Sequence, residues 1–134
     1  MRTLRHLFAI SLTWFASAHA SPCLVYGAPG TTLQGIVTVE TFYGPPNFGE
    51  SPETDSKVRQ AILRLDSPIC TQESADEPAE LGQVRITLAP TGGLKLDAHA
   101  GKRVTVTGAL FHASTGHHRT PLLMAIRQAP QRHQ

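Results

Sequence analysis

The sequence predicts an all-β domain: a small, five-stranded OB-like barrel with one disulfide, another small β-barrel or sandwich being the alternative. Three observations lead there. Five stretches alternate apolar and polar side chains with period 2, the pattern of half-buried strands. Two of them carry a glycine in the apolar row, Gly35 and Gly108, where a small closed barrel needs sharp bends. Two cysteines, Cys23 and Cys70, form an even pair, most simply joined to each other.

The first 20 residues stand apart. Arg2 and Arg5 precede an apolar run from Leu7 to Ala18 and an Ala18-His19-Ala20 motif. A charged start, a short apolar middle and a small-residue cleavage site make a secretory signal peptide. The run is shorter than the roughly 20 residues that cross a bilayer. Residues 1–20 are therefore expected to be cleaved near Ala20, leaving a single domain over 21–134 with its core in 23–127. That domain is expected to be exported, periplasmic or secreted, with no transmembrane segment. Arg2 and Arg5 leave with the leader, so 10 basic residues face 10 acidic ones and the mature charge is near zero. Nucleic-acid binding requires a basic groove, so nucleic acid is not expected as a partner. In an oxidising compartment the Cys23–Cys70 pair reads as a disulfide. Closing so long a loop is worth about 4 kcal/mol in the chain-entropy model.

The elements follow in order. The first strand spans 31–40, with Leu33, Gly35, Val37 and Val39 on one face. Residues 41–57, TFYGPPNFGESPETDSK, form a long loop, aromatic and proline-rich at first and then acidic. Loops of this length in compact domains are usually functional. The second strand spans 58–66, with Ala61, Leu63 and Leu65 inward and Ile62 marking partial cover on the opposite face. An acidic loop leads to the third strand, 83–89, where Val84, Ile86 and Leu88 alternate with Arg85 and Thr87. Residues 90–102 hold at most one helical turn closed by Gly101. The fourth strand carries Val104, Val106 and Leu110 inward; the fifth, 120–127, is apolar on both faces. The turn between them centres on Thr115-Gly116, since glycine accepts the positive φ of tight turns. A three-residue loop there would set His112 opposite His118, and a four-residue loop would set it opposite His117. The tail, 128–134, is polar and expected to fray.

The order of elements places the start of strand one and the end of strand two at the same pole, so the disulfide is topologically easy. In an OB-type barrel the loops after strands one and four flank the ligand face. Here these are the aromatic loop and the histidine turn.

The pattern GK-x-V-x-V-x-G-x-LF-x-A-x-TGHH-x-T, from Gly101 to Thr120, with the upstream GPPNF and LRLDSPIC segments, resembles a family of small exported bacterial proteins catalogued as a domain of unknown function (DUF4431-like). The likeness runs from Cys23 to about Ile126. It implies an exported single-domain protein and no particular activity.

The histidines admit two readings. His112, with His117 or His118 and completed by His99, Asp97 or a carboxylate of the long loop, would suit a divalent transition metal: zinc, copper or nickel. Alternatively they hydrogen-bond loop backbone and fix the turn, as Thr115 and Thr120 would. No GxSxG, HExxH or free cysteine supplies hydrolase chemistry, and no catalytic residue is assigned; an enzyme would have to be metal-assisted. Phe42, Tyr43, Asn47 and Phe48, stiffened by Pro45 and Pro46, are candidate ligand contacts. The sequence thus favours a non-enzymatic binding module, its site at the pole of loops 42–49 and 112–118, for a protein, peptide or sugar ligand. A metal-binding protein using the histidine turn, and an inhibitor or immunity-type protein of the cell envelope, are the alternatives.

Overall fold

The computed structural model describes residues 22–133. The expected leader and its cleavage position after Ala20 lie outside the described residues. The chain forms β1 (Thr31–Tyr43), β2 (Lys57–Thr71), β3 (Glu80–Pro90), a 3-10 turn (Asp97–His99), β4 (Arg103–His112), β5 (Leu122–Ile126) and β6 (Gln131–Arg132). Antiparallel pairings join β1 to β2, β2 to β3, β5 to β4 and β4 back to β1, while β3 and β5 run parallel. The result is a closed five-stranded, OB-like barrel with one extra strand, β6, on β4.

Two glycines make closure possible. Gly35 is paired with Leu65 of β2 on one side and Val104 of β4 on the other. β4 pairs with β1 through Gly108 and with β5 from Ala109 onward. A Cβ at Gly35 would collide with the Arg64 carbonyl, and one at Gly108 with the Ala125 carbonyl. Only glycine lets each backbone pass this close to its neighbour.

Inside lie Leu33, Val37, Leu63, Ile86, Val104, Val106, Leu110, Met124 and Ile126, the inward rows read from the alternation. A second buried row lies on the other side of the sheet. Thr87 is laterally paired with Ile62 and with Leu123, so the three side chains share one face. Ile62 is 0% exposed and Leu123 3%, although neither belongs to the barrel core.

At one end, Cys23 and Cys70 are joined. Backbone bonds from Leu24 N–H to the Cys70 carbonyl (2.8 Å) and from Gln72 N–H to the Leu24 carbonyl (2.9 Å) lay the lead-in along the end of β2.

Three features differ from the sequence-based expectation. β2 and β3 are longer, because pairing resumes past Pro68 after a register shift between Arg64 and Ile69. Proline has no N–H to give the ladder, which is why the LRLDSPIC segment reads as a strand end. His112 lies opposite Leu122, not His117 or His118. The β4–β5 connection is thus 113–121, closed by Ala113 N–H on the Pro121 carbonyl at 2.9 Å. Pro121 cannot extend the strand as a donor, and Thr120 is drawn inward instead. Finally, the tail, expected to fray, forms β6 at Gln131–Arg132, and Pro130 is buried.

Candidate functional site

Loop 113–121 folds back over the buried outer row. The Thr120 hydroxyl donates to the Leu122 carbonyl (2.6 Å) and accepts from both the backbone N–H (2.9 Å) and the hydroxyl (2.8 Å) of Thr87. All three groups are buried, so each bond replaces one that water can no longer make. Further along, Gln60 Nε2 donates to the His117 carbonyl at 2.7 Å. These anchors hold the loop against β2 and β3.

Loop 44–56 is organised by a carboxylate. Asp55 is buried and accepts backbone N–H groups from Asn47 (2.8 Å), Gly49 (2.7 Å) and Ser51 (3.3 Å). Desolvation raises its pKa, but the N–H donors of Gly49, Asn47 and Ser51 outweigh it, and the carboxyl titrates below its ordinary value. Within this nest Phe48 adopts a φ of 52°, the left-handed region that few side chains enter. Its ring is thereby turned onto the other loop.

The two loops dock through that ring. Phe48 meets His117 edge-on with centroids 5.0 Å apart and lies 3.6 Å from where a Gly116 Cβ would sit. The Arg119 guanidinium stands over Phe42 at 5.2 Å and Phe48 at 5.9 Å and donates to the Tyr43 carbonyl. Phe42, Tyr43 and Phe48 are therefore brought together with His117, while Asn47 enters through its backbone. Tyr43 remains 40% exposed.

The three histidines separate. His112 turns away: its Nε2 meets Glu80 Oε1 at 2.8 Å and its Nδ1 the Ala113 carbonyl at 2.9 Å. Its backbone N–H donates to Glu77 Oε1 at 3.0 Å. Glu80 N–H in turn donates to the Thr71 hydroxyl (3.1 Å), which donates to the Tyr26 oxygen (3.0 Å). Burial, opposed by the bond from Thr71, pushes the Tyr26 phenol up. His112 thus belongs to the disulfide end. His118 Nδ1 accepts N–H groups from Ser114 (2.8 Å) and Thr115 (3.3 Å), and its ring packs edge-on against Phe111. Among the described residues, no group of three or more His, Cys, Asp and Glu is placed to hold a metal ion.

Beside His117 and His118 opens a cleft of about 530 Å³. Val58, Ala89, Phe111 and Leu123 give it apolar walls; Gln60, Lys95 and the Arg59–Asp97 ion pair (3.0 Å) give it polar ones. None of Phe42, Tyr43, Asn47 and Phe48 lines it. A smaller hollow of about 190 Å³ lies beside Phe42 and Tyr43.

Sequence reasoning missed Asp55, Gln60 and Arg119. Thr120, named there as a residue that fixes the turn through backbone, does bond to the Leu122 carbonyl and the Thr87 N–H; Gln60 and Arg119 gave no signal, because their partners are distant in sequence.

A protein-family model described as a domain of unknown function (DUF4431) matches residues 83–129. That segment runs from β3 through the histidine loop to β5. No curated protein and no solved structure matches the chain significantly.

Proposed function

We propose that this protein is an exported, non-enzymatic binding module whose ligand is met by loop 44–56, loop 113–121 and the cleft beside them. One observation carries the reading. The two least regular segments dock on each other through Phe48, His117 and Arg119, next to a concave surface with apolar walls and a polar rim. Cavities of that kind are the default small-ligand site of a fold. The ligand class is a protein, peptide or sugar.

Export is supported by the leader pattern of residues 1–20 and by the disulfide, a bond that persists in oxidising compartments. Among the described residues no helix is long and apolar enough to cross a membrane. N-terminal sequencing of protein recovered from outside the cytoplasm tests this part; a chain found uncleaved inside the cell would refute it.

Hydrogen–deuterium exchange of the mature, oxidised protein, with and without a cell-envelope extract, tests the site. Protection gathered in 42–49, 58–60 and 113–119 is the expected result. Protection elsewhere, or none, would remove the proposal.

A further inference from the structure

We infer that the cleft beside His117 and His118 takes the free carboxy terminus of a peptide whose last side chain is apolar; this rests on the binding reading and names its ligand class. Charge and wall chemistry carry the argument. Histidines aside, Arg59, Lys95 and Asp97 are the charged side chains of the lining among the described residues. Arg59 and Asp97 answer each other at 3.0 Å. Lys95 takes part in none of the ion pairs of the described residues. The lining thus keeps one positive charge over. The chain anchors that lysine: Leu96 on one side belongs to the core, Leu94 on the other packs against it, and Lys95 between them is exposed. Its four-carbon stem is flexible and its three donors rotate, so from this fixed backbone the ammonium can reach a carboxylate along the near wall.

An occupant of the cleft shields Lys95 from water. Covering a cation without a counter-charge costs free energy, and a carboxylate removes that cost. Low-dielectric walls strengthen the attraction over that on an open surface. Val58, Ala89, Pro90, Leu94 and Phe111 supply such walls, and each keeps accessible surface. A chain-terminal residue brings both complements from one Cα, an α-carboxylate for Lys95 and a side chain for the wall. An acidic side chain brings the carboxylate alone, and an uncharged sugar brings no counter-charge. Capture of a carboxylate end is a recurring mode of peptide recognition. Arg59, Lys95, Asp97 and His117 are exposed, so the cleft opens to solvent and the preceding residues of the peptide can leave it. A volume of about 530 Å³ falls within the roughly 300–1,000 Å³ of small-molecule sites, which suits a chain end better than a long segment. A fatty acid shares the chemistry, an apolar body with one carboxylate, and is the occupant to test against.

The experiment is an NMR titration of the mature, isotope-labelled, oxidised protein with acetyl-alanyl-alanyl-leucine as the free acid, the same peptide as its carboxamide, and octanoate. The free acid is expected to shift the methyl signals of Val58, Ala89 and Leu94 and to bind about tenfold more tightly than the carboxamide. Lys95 is exposed, so its variants are expected to fold. Lys95→Met should abolish the preference for the acid, whereas Lys95→Arg, which keeps the charge, should hold it within about threefold. Raised salt should narrow it, because the attraction is screened. A wild-type preference below about threefold, or one that survives in Lys95→Met, would overturn the ligand class and leave the binding reading standing. Octanoate binding as tightly as the free acid would overturn the peptide in favour of a small carboxylate. No shift at any cleft residue with any probe would overturn the ligand class, and the exchange experiment would then decide the binding reading by itself.

Discussion

The two ends of this barrel solve the same problem in opposite ways. At the disulfide end, polar groups meet in a closed set: Cys23 bonded to Cys70, His112 held between Glu80 and the Ala113 carbonyl, Thr71 linking Glu80 to Tyr26. At the loop end, Phe48 sits at positive φ, and Gln60 Oε1 and Arg119 Nε are buried without partners among the described residues. Arg119 rests on aromatic rings and takes part in none of the ion pairs of the described residues. A closed set stabilises the fold. Unmet groups cost stability. The contrast separates two histidines of one turn, His112 and His118, into different occupations.

Four measurements break or sharpen that contrast. The largest effect belongs to the disulfide. Cys23→Ser is expected to cost about 4 kcal/mol in urea unfolding, the chain-entropy value for a loop of this length. A loss below about 1 kcal/mol would mean that the end is held without it.

His112→Leu comes next. It strips Glu80 and the Ala113 carbonyl of a partner at a position about three-quarters buried, and should cost about 1–3 kcal/mol while leaving ligand binding intact. Loss of binding with full stability would reverse the assignment of the two ends.

The third effect is a pH response confined to loop 44–56. The folded pKa of Asp55 is depressed. Its stabilising contribution is therefore fully present above the ordinary value of 3.8 and is lost as pH falls through the lower folded value. The backbone amides of Asn47, Gly49 and Ser51 should shift together by NMR below that value, with residues 22–26 unaffected. Independent midpoints would show that the carboxylate does not organise the loop.

The smallest effect is at Gln60. Replacing it by Met removes one bond to the His117 carbonyl and one unpaired acceptor, so thermal stability should move by less than about 1 kcal/mol in either direction. A larger loss would make Gln60 a structural anchor like His112.

How much of this was legible in the sequence depends on how local each cause is. Alternation in Val84, Ile86, Leu88 and Val104, Val106, Leu110 reports burial directly, and those strands stand where the pattern places them. The two core-row glycines marked the closure points, because only a close backbone approach explains a missing side chain there. The cysteine pair followed from an even count and an expected oxidising compartment. The β4–β5 register did not follow, since Thr115-Gly116 is a good turn pair in isolation. What overrides it is Thr120 bonding to Thr87, a residue on another strand. The three nearby histidines separate for a similar reason: they share a segment, but Glu80 claims one, loop backbone claims another, and Phe48 packs on the third. The Asp55 nest was hidden because its donors are backbone groups, which no residue type announces.

The handover at Gly35 also sets an order of assembly. β1 finds β2 across a single loop, but Thr31 must wait for Gly108, most of the chain away. Distant partners form late, since loop closure has to precede the contacts that reward it. A chain emerging N-terminus first would present Cys23, the β1–β2 hairpin and Cys70 before any of β4. The covalent link would then be made on an unfinished barrel, fixing the hairpin while its free edge awaits the last strands. An oxidant acting early would guide this fold, whereas one acting late would only lock it.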